Sequence, residues 1–562
     1  MSNSIKPVLI LAWTILSLLP SCKNKSQQLT PKLSDIPLLR GELLLCGSEG
    51  FGEVDFSLSC HYEVRPTFDL ALSLLHSFEY EEAEKAFVQV LDADPDCAMA
   101  YWGVAMSIYN CLWLQSDHTY LEKGKRLLKI ARDIPKSELA ADYINALNVY
   151  YTDWETVDKP TRQRRYENKM EELSKKYAED TETSVFYALA LRAAADPNDT
   201  SYSRQKKSGQ ILEALFKENP NHPGIAHYII HNYDYPGLAE KALETARRYA
   251  KIAPASAHAQ HMPSHIFTRL GLWEESISSN LNSASSAVCY AESVNPDAHW
   301  TAEIHASDYL MYAYLQQGDN QKAREQLESM QRITDVFPEN SFGAAYALTV
   351  MPIRMALETK NWEEAKRLEL PKIDFSWQKL HWLKAINHFG RIMGYVHTKD
   401  TQAAEHEWQM MEQLHQNLLD AQDSYKADQV NVQLHSAKAW IEWSKGHMDT
   451  ALKLMGEASM LEDRTTKHPV TPGEVLPAYE LLGDMLLTMD RPKEALDAYE
   501  ANLRKRPNRF NSVYGAAVAA MESGNQAKAL YYFKALLQLG EKSNSSRPEM
   551  GRAAEFIKKG SV

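Results

Sequence analysis

Two pairs of histidines are the residues of this chain best suited to chemistry. His227 and His231 lie in GIAHYIIHNYDYP, and His261 and His265 lie in HAQHMPSHIFTRLG. Within each pair the spacing is i, i+4, which on a helix puts both rings on one face. Imidazole nitrogen suits Zn, Cu, Fe and Ni, so the pairs predict a site for a divalent transition metal. Eight of the 19 histidines (His222, His227, His231, His258, His261, His265, His299 and His305) fall between positions 222 and 305, well above an even spread. No HExxH occurs, so zincin-type proteolysis is not expected. If the site were catalytic, Asp308, Asp234 or Tyr228 would be the acid or base at hand, and the spacing selects none of them.

The elements that must position these rings are repeats. His227 to His261 and His231 to His265 are both offsets of 34 residues, the period of the tetratricopeptide repeat (TPR), a pair of antiparallel helices. That repeat has a small residue near position 8, alanine near 20, an aromatic near 24 and proline near 32. A window from Val64 supplies Ala71, Ala83, Phe87 and Pro95, and one from Leu476 supplies Gly483, Ala495, Tyr499 and Pro507. A third from Phe510 supplies Ala517, Ala529 and Phe533. Windows from Pro223, Ala257, Ile304, Tyr346 and Val432 match less well, and 118–199 and 375–420 are helical in pattern but poor repeats. Apolar spacing is helical almost throughout, so the predicted fold is all-α, a TPR-like right-handed α-solenoid of antiparallel helix pairs over residues 56–562.

The register says where side chains point. Positions 2, 5 and 9 of each first helix face the concave groove. His227 and His231 take positions 5 and 9 of one repeat; His258, His261 and His265 take 2, 5 and 9 of the next; His305 and Asp308 take 2 and 5 of the third. With packed helices about 8–10 Å apart, the four paired histidines are expected to converge on one place, with His258, His305 and Asp308 beside it and Asp234 or Asp308 holding ring nitrogens. Smaller expectations follow. His222 reads as a loop residue, and His76 as a helix-end residue contacting the next turn. Glu480 and Asp484 read as a solvated acidic face, and Trp102 as either core or an apolar groove wall. If the solenoid curls far enough, HPVTPGEV at 468–475 would face the histidines.

The N-terminus predicts export and anchoring. Lys6 precedes the apolar run PVLILAWTILSLL, too short to span a bilayer comfortably. The run ends in Leu19-Pro20-Ser21-Cys22, which resembles the bacterial lipoprotein signal, with Cys22 lipidated after cleavage. Residues 1–21 are then the signal and 22–55 a tether and N-terminal segment, and the protein is a bacterial membrane lipoprotein facing out of the cytoplasm. Export puts Cys46, Cys60, Cys97, Cys111 and Cys289 in an oxidising space. Cys60 and Cys97 each precede a first helix of adjacent repeats, so a Cys60–Cys97 disulfide is expected, with Cys46–Cys60 the competing pair. A formal charge of −13 argues against nucleic acid as a partner.

Several segments, among them SLLHSFEYEEAEKAF, HPGIAHYIIHNYDYP, APASAHAQHMPSHIFTRLGLW and HPVTPGEVLPAYELLGDML, resemble a set that recurs in bacterial TPR lipoproteins. The resemblance implies the helical solenoid and no assigned activity. The function expected is therefore a membrane-anchored TPR protein binding a protein, peptide or small ligand in its groove, with a histidine-rich Zn, Cu, Fe or Ni site. The alternative is a metal-dependent enzyme with its ion on the same histidines.

Overall fold

The computed structural model describes residues 33, 35–46, 50–112, 117–197, 199–543 and 545–560. The signal at 1–21, Cys22 and the stretch Lys23–Lys32 lie outside the described residues. From Tyr62 onward the chain is helical hairpins in sequence, an α-solenoid, with one two-residue parallel bridge (His299–Trp300 against Val336–Phe337).

The windows with the repeat signature fold as its chemistry requires. Arg65–His76 pairs with Tyr80–Ala93, Ala478–Thr488 with Pro492–Lys505, and Phe510–Glu522 with Gln526–Leu539. At Gly483 an added Cβ would come within 2.7 Å of the Tyr499 ring, so the small residue at position 8 lets the aromatic at position 24 close the hairpin. Helix starts are set by caps and prolines. Asp158, Asp180 and Ser256 side chains accept N–H groups of the first turn, and Pro223, Pro263 and Pro492 open their helices. In the two regions that match the repeat poorly, residues 118–193 and 381–420 are also helical hairpins. Tyr143, Tyr150, Tyr151 and Tyr166, all buried, fill the first of these regions in place of the small-residue pattern.

The solenoid curls until residues far apart in sequence touch. Trp273 Nε1 donates to the Asn508 carbonyl at 2.8 Å, Phe510 N–H to Gln316 Oε1 at 3.0 Å, and Ser545 Oγ to the Gly318 carbonyl at 2.8 Å. Apolar packing forms one large core over 33–267 and a second over 304–485. The histidines sit at the seam between them. Glu480, expected to be solvated, is instead buried against Arg509, which also pairs with Glu358. Asp484 meets Lys360 and Tyr499, and Trp102 is core. The curl that brings the last repeats against Tyr312 and Gln316 turns this acidic face inward.

The N-terminal segment is tied down from Asp35 onward. Leu39 and Leu44 N–H groups donate to Glu84 and Glu82, and Phe51 and Phe56 are buried. Cys60 is joined to Cys97, and Cys46 to Cys289 across 243 residues, leaving Cys111 as the buried free thiol among the described residues. Cys46–Cys60, the alternative pairing, does not form. No helix among the described residues is long and apolar enough to cross a membrane.

The longer closed loop removes more freedom from the unfolded chain. Cys46→Ser should therefore cost more stability than Cys60→Ser, each within about 2–5 kcal/mol. Denaturation midpoints of the two variants, with non-reducing peptide mapping of the parent, check both the order and the pairings.

Candidate metal centres

Helix Pro223–Tyr233 carries His227 and His231; helix Ala257–His261 carries His258 and His261; helix Pro263–Leu270 carries His265; helix Thr301–Gln316 carries His305. The six histidines form two groups of three, not one. His227, His231 and His258 are the first, His261, His265 and His305 the second, and in each the candidate ligand atoms lie within 4.8 Å of one another. Adjacent first helices are one packing distance apart. Each pair therefore meets position 2 of the following repeat rather than the neighbouring pair.

In the first centre, His231 Nε2 and His258 Nε2 both lie 3.0 Å from His227 Nε2. His227 Nδ1 donates to the His76 carbonyl at 2.7 Å, so its Nε2 carries the lone pair. Phe78 walls this centre, its ring 4.3 Å from His227, 5.5 Å from His231 and 5.9 Å from His258. It does so from a backbone φ of 60°, a conformation bulky residues rarely take.

In the second centre, His261 Nε2 lies 3.0 Å from His265 Nε2. His261 Nδ1 donates to Asn280 Oδ1 at 2.7 Å, and Asn280 is oriented by its own donation to the Ser276 carbonyl at 2.7 Å. His265 Nδ1 donates to Asp234 Oδ2 at 2.9 Å. Burial opposes the Asp234 carboxylate, but Lys467, Arg269 and His265 outweigh it and hold its pKa well below the usual range. With both Nδ1–H groups committed, both Nε2 atoms are lone pairs facing each other. His305 lies against His261 with ring centres 4.5 Å apart, and its buried Nδ1 has no hydrogen-bond partner among the described residues. Tyr309 packs its ring against all three histidines and donates its hydroxyl to the Thr471 carbonyl at 3.0 Å.

Asp308 joins neither centre. It is buried with Arg354, whose Nε is 3.5 Å away, because position 9 of the next repeat brings a guanidinium to it. Burial lifts its carboxyl to about 6 against the pull of Arg354.

The groove itself is filled by a strap, the non-helical stretch from Thr465 to Pro477. Arg354 donates to Thr471 Oγ1 and to the Gly473 and Glu474 carbonyls, and Lys467 Nζ reaches Asp234 at 3.5 Å. Residues expected to line an open groove are therefore interior: His227 is 0% and His265 3% exposed.

A third buried group is satisfied within itself. His222 is an N-cap, its Nδ1 accepting the Ile225 N–H, so its Nε2 donates to Glu182 at 2.9 Å. His76 Nε2 donates to the other oxygen of Glu182 at 3.0 Å and accepts the Tyr228 hydroxyl on Nδ1 at 2.9 Å. Burial pushes the Glu182 carboxyl up, but the two histidines outweigh it and hold it at about 2. This network fixes the His76 carbonyl that orients His227. Sequence reasoning missed Glu182, Asn280, Arg269, Phe78, Tyr309 and Lys467 as parts of the site. Arg269 and Phe78 lie inside noted motifs, Tyr309 and Lys467 stand next to noted residues, and Glu182 and Asn280 stand outside them.

The tetratricopeptide repeat family profile matches residues 68–110 and 481–544. The chain is similar in fold to yeast Tom70 (13% identity, 89% of this chain and 96% of that one, TM-score 0.34). It is similar also to the human IFIT1 dimer with m7Gppp-AAAA (13%, 86% and 98%, 0.37) and to the APC/C hetero-tetramer Cut9-Hcn1 (12%, 88% and 89%, 0.31). No curated protein sequence matches the chain.

Burial lowers the pKa of His227 and His261 to about 3 in the fold. Unfolded, each titrates near 6.5. Between those values the unfolded chain binds more protons, so stability falls as pH drops below about 6.5, by up to about 1.4 kcal/mol per pH unit for each ring. Urea midpoints of metal-free protein from pH 7.5 to 4.5 should decline, and His227→Gln should lessen the slope. A flat profile would contradict neutral buried rings.

Proposed function

We propose that this protein is an extracytoplasmic lipoprotein, anchored through Cys22, whose solenoid holds transition-metal ions on two three-histidine centres. The fold it does this on is a TPR-type scaffold, and the solenoid surface is then free to meet a protein or peptide partner.

The observation that carries the metal reading is His261 Nε2 facing His265 Nε2 at 3.0 Å. Two lone pairs at that distance repel. A proton between them would leave an imidazolium where burial disfavours charge. A metal ion accepting both relieves the repulsion. At ligand distances of 2.0–2.1 Å, tetrahedral nitrogens sit about 3.3–3.4 Å apart, so the rings need to open by only a few tenths of an ångström. The Nδ1–H donors to Asn280, Asp234 and the His76 carbonyl supply the outer partners that metal-binding histidines use.

A second reading, a metal-dependent enzyme, is favoured by ligand count. Three nitrogens leave one coordination position open, as catalytic zinc sites do.

Full-length protein loaded with Zn2+ and freed of excess metal should carry two ions per chain, one for each centre. His261→Ala with His265→Ala should remove one ion, and His227→Ala with His231→Ala the other, with helical circular dichroism retained. Metal content indifferent to both pairs would refute the assignment.

The anchor has its own test. Protein extracted from membranes should begin at Cys22 and carry acyl mass, and Cys22→Ala should move it to the soluble fraction. A membrane-bound Cys22→Ala protein with unchanged mass would remove the lipid anchor.

A further inference from the structure

The two centres differ in their surroundings. Beside the first, Glu79 accepts the backbone N–H of His258 and the Ser256 hydroxyl; burial raises its carboxyl to about 7, and a cation nearby would ionise it and so gain a charge of the protein's own. Arg192 donates to the His231 carbonyl at 3.1 Å. Among the described residues, the acids nearest the second centre each have a basic partner. Asp234 is bound by Arg269 at 2.8 Å, Asp308 lies against Arg354 at 3.5 Å, and Glu474 is bound at 2.6 Å by Arg506, which also carries Glu462.

Into this balanced set the strap inserts Lys467. Its side chain is 2% exposed. An ammonium has three donors and prefers about 2.7–2.9 Å to a carboxylate. Among the described residues Lys467 makes one hydrogen bond, at 3.5 Å, to the Asp234 oxygen that also holds His265. The acids Asp234, Asp308, Glu474 and Glu462 are matched in number by Arg269, Arg354, Arg506 and Lys467. A divalent ion on three neutral imidazoles would therefore bring two uncompensated positive charges into a buried place, which is costly. A monovalent anion from outside the chain would offset one of these two charges. Lys467 is joined to the second centre through the Asp234 oxygen that accepts His265 Nδ1–H.

Resting on the metal reading above, we propose that an ion on His261, His265 and His305 takes a small monovalent anion as its further ligand, and that the Lys467 ammonium holds it. Tyr309 packs against all three rings and bonds the strap at Thr471, so the anion proposed is a small one, and azide serves as its probe. The first centre, with Glu79 at hand, has no need of one.

The test uses full-length protein loaded with Cu2+ and titrated with azide, read by the azide-to-copper charge-transfer band. One azide per chain is expected. It should persist in His227→Ala with His231→Ala and vanish in His261→Ala with His265→Ala. Lys467→Gln should weaken it on the order of tenfold, about 1.4 kcal/mol, while copper content stays at two ions, and Lys467→Arg should restore much of the loss. Azide that follows the first centre overturns the inference without any lysine variant. Unchanged affinity in a copper-loaded Lys467→Gln protein overturns it as well. A parent that binds no metal overturns the metal reading and this inference together. Two bound ions with azide indifferent to Lys467 overturns this inference alone.

Discussion

The stacking of successive first helices governs everything at this site. Because each repeat places its first helix beside the last at one packing distance, positions 5 and 9 of one repeat face position 2 of the next. His227 and His231 thus find His258, and His261 and His265 find His305. One arrangement is used twice, although the second step is longer in sequence. The 22-residue helix Trp273–Val294 and the strand bridge intervene there. The extra chain is absorbed outside the stack, and the register of the first helices is kept.

Convergence alone does not make a ligand set; the rings must also present the right nitrogen. Here that is settled by acceptors that are themselves held. His227 answers to a carbonyl fixed by the His76–Glu182–His222 network, His261 to an amide oriented by Ser276, and His265 to a carboxylate clamped by Arg269. Each acceptor takes Nδ1–H and leaves Nε2 for the centre. The buried polar network at Glu182 is thus explained without a ligand of its own. It stabilises a backbone oxygen in one place, and the tautomer of His227 follows.

The repeat period, the helix starts and the six histidines were legible in the sequence because they depend on local spacing. The grouping was misjudged because period fixes which way a side chain points, not which neighbour it reaches. Asp308 was misjudged for a related reason: its partner Arg354 lies one repeat further on, in a window that matches the consensus poorly. Of the acceptors, Asp234 was legible, since it stood among the residues expected to hold a ring nitrogen and does hold His265, whereas Asn280 and the Lys467 that faces Asp234 were not. Asn280 and Lys467 come from a second helix and from a strap more than 200 residues from Asp234, and no local pattern marks them. Glu480 shows the same limit: Arg509 of the following repeat pairs with it, and the pair becomes interior only when the curl brings Glu358 and Tyr312 against it.

The stack also has ends, and they account for two centres rather than a continuing row. Beyond the second centre, the place that a third pair would occupy is held by Asp308 and Tyr312 at positions 5 and 9. Arg354 fills it, its guanidinium 5.0 Å over the Tyr312 ring and paired with Asp308. A fixed cation in that position repels a mobile one. On the other side of the first centre, His76 and His222 do offer imidazoles with a carboxylate. Both Nε2 atoms are spent as donors to Glu182, however, and both Nδ1 atoms are spent as acceptors. The histidines that can still offer a lone pair to an ion lie between a bound guanidinium and a self-satisfied triad. The same imidazole chemistry thus takes different roles according to whether its second nitrogen is free.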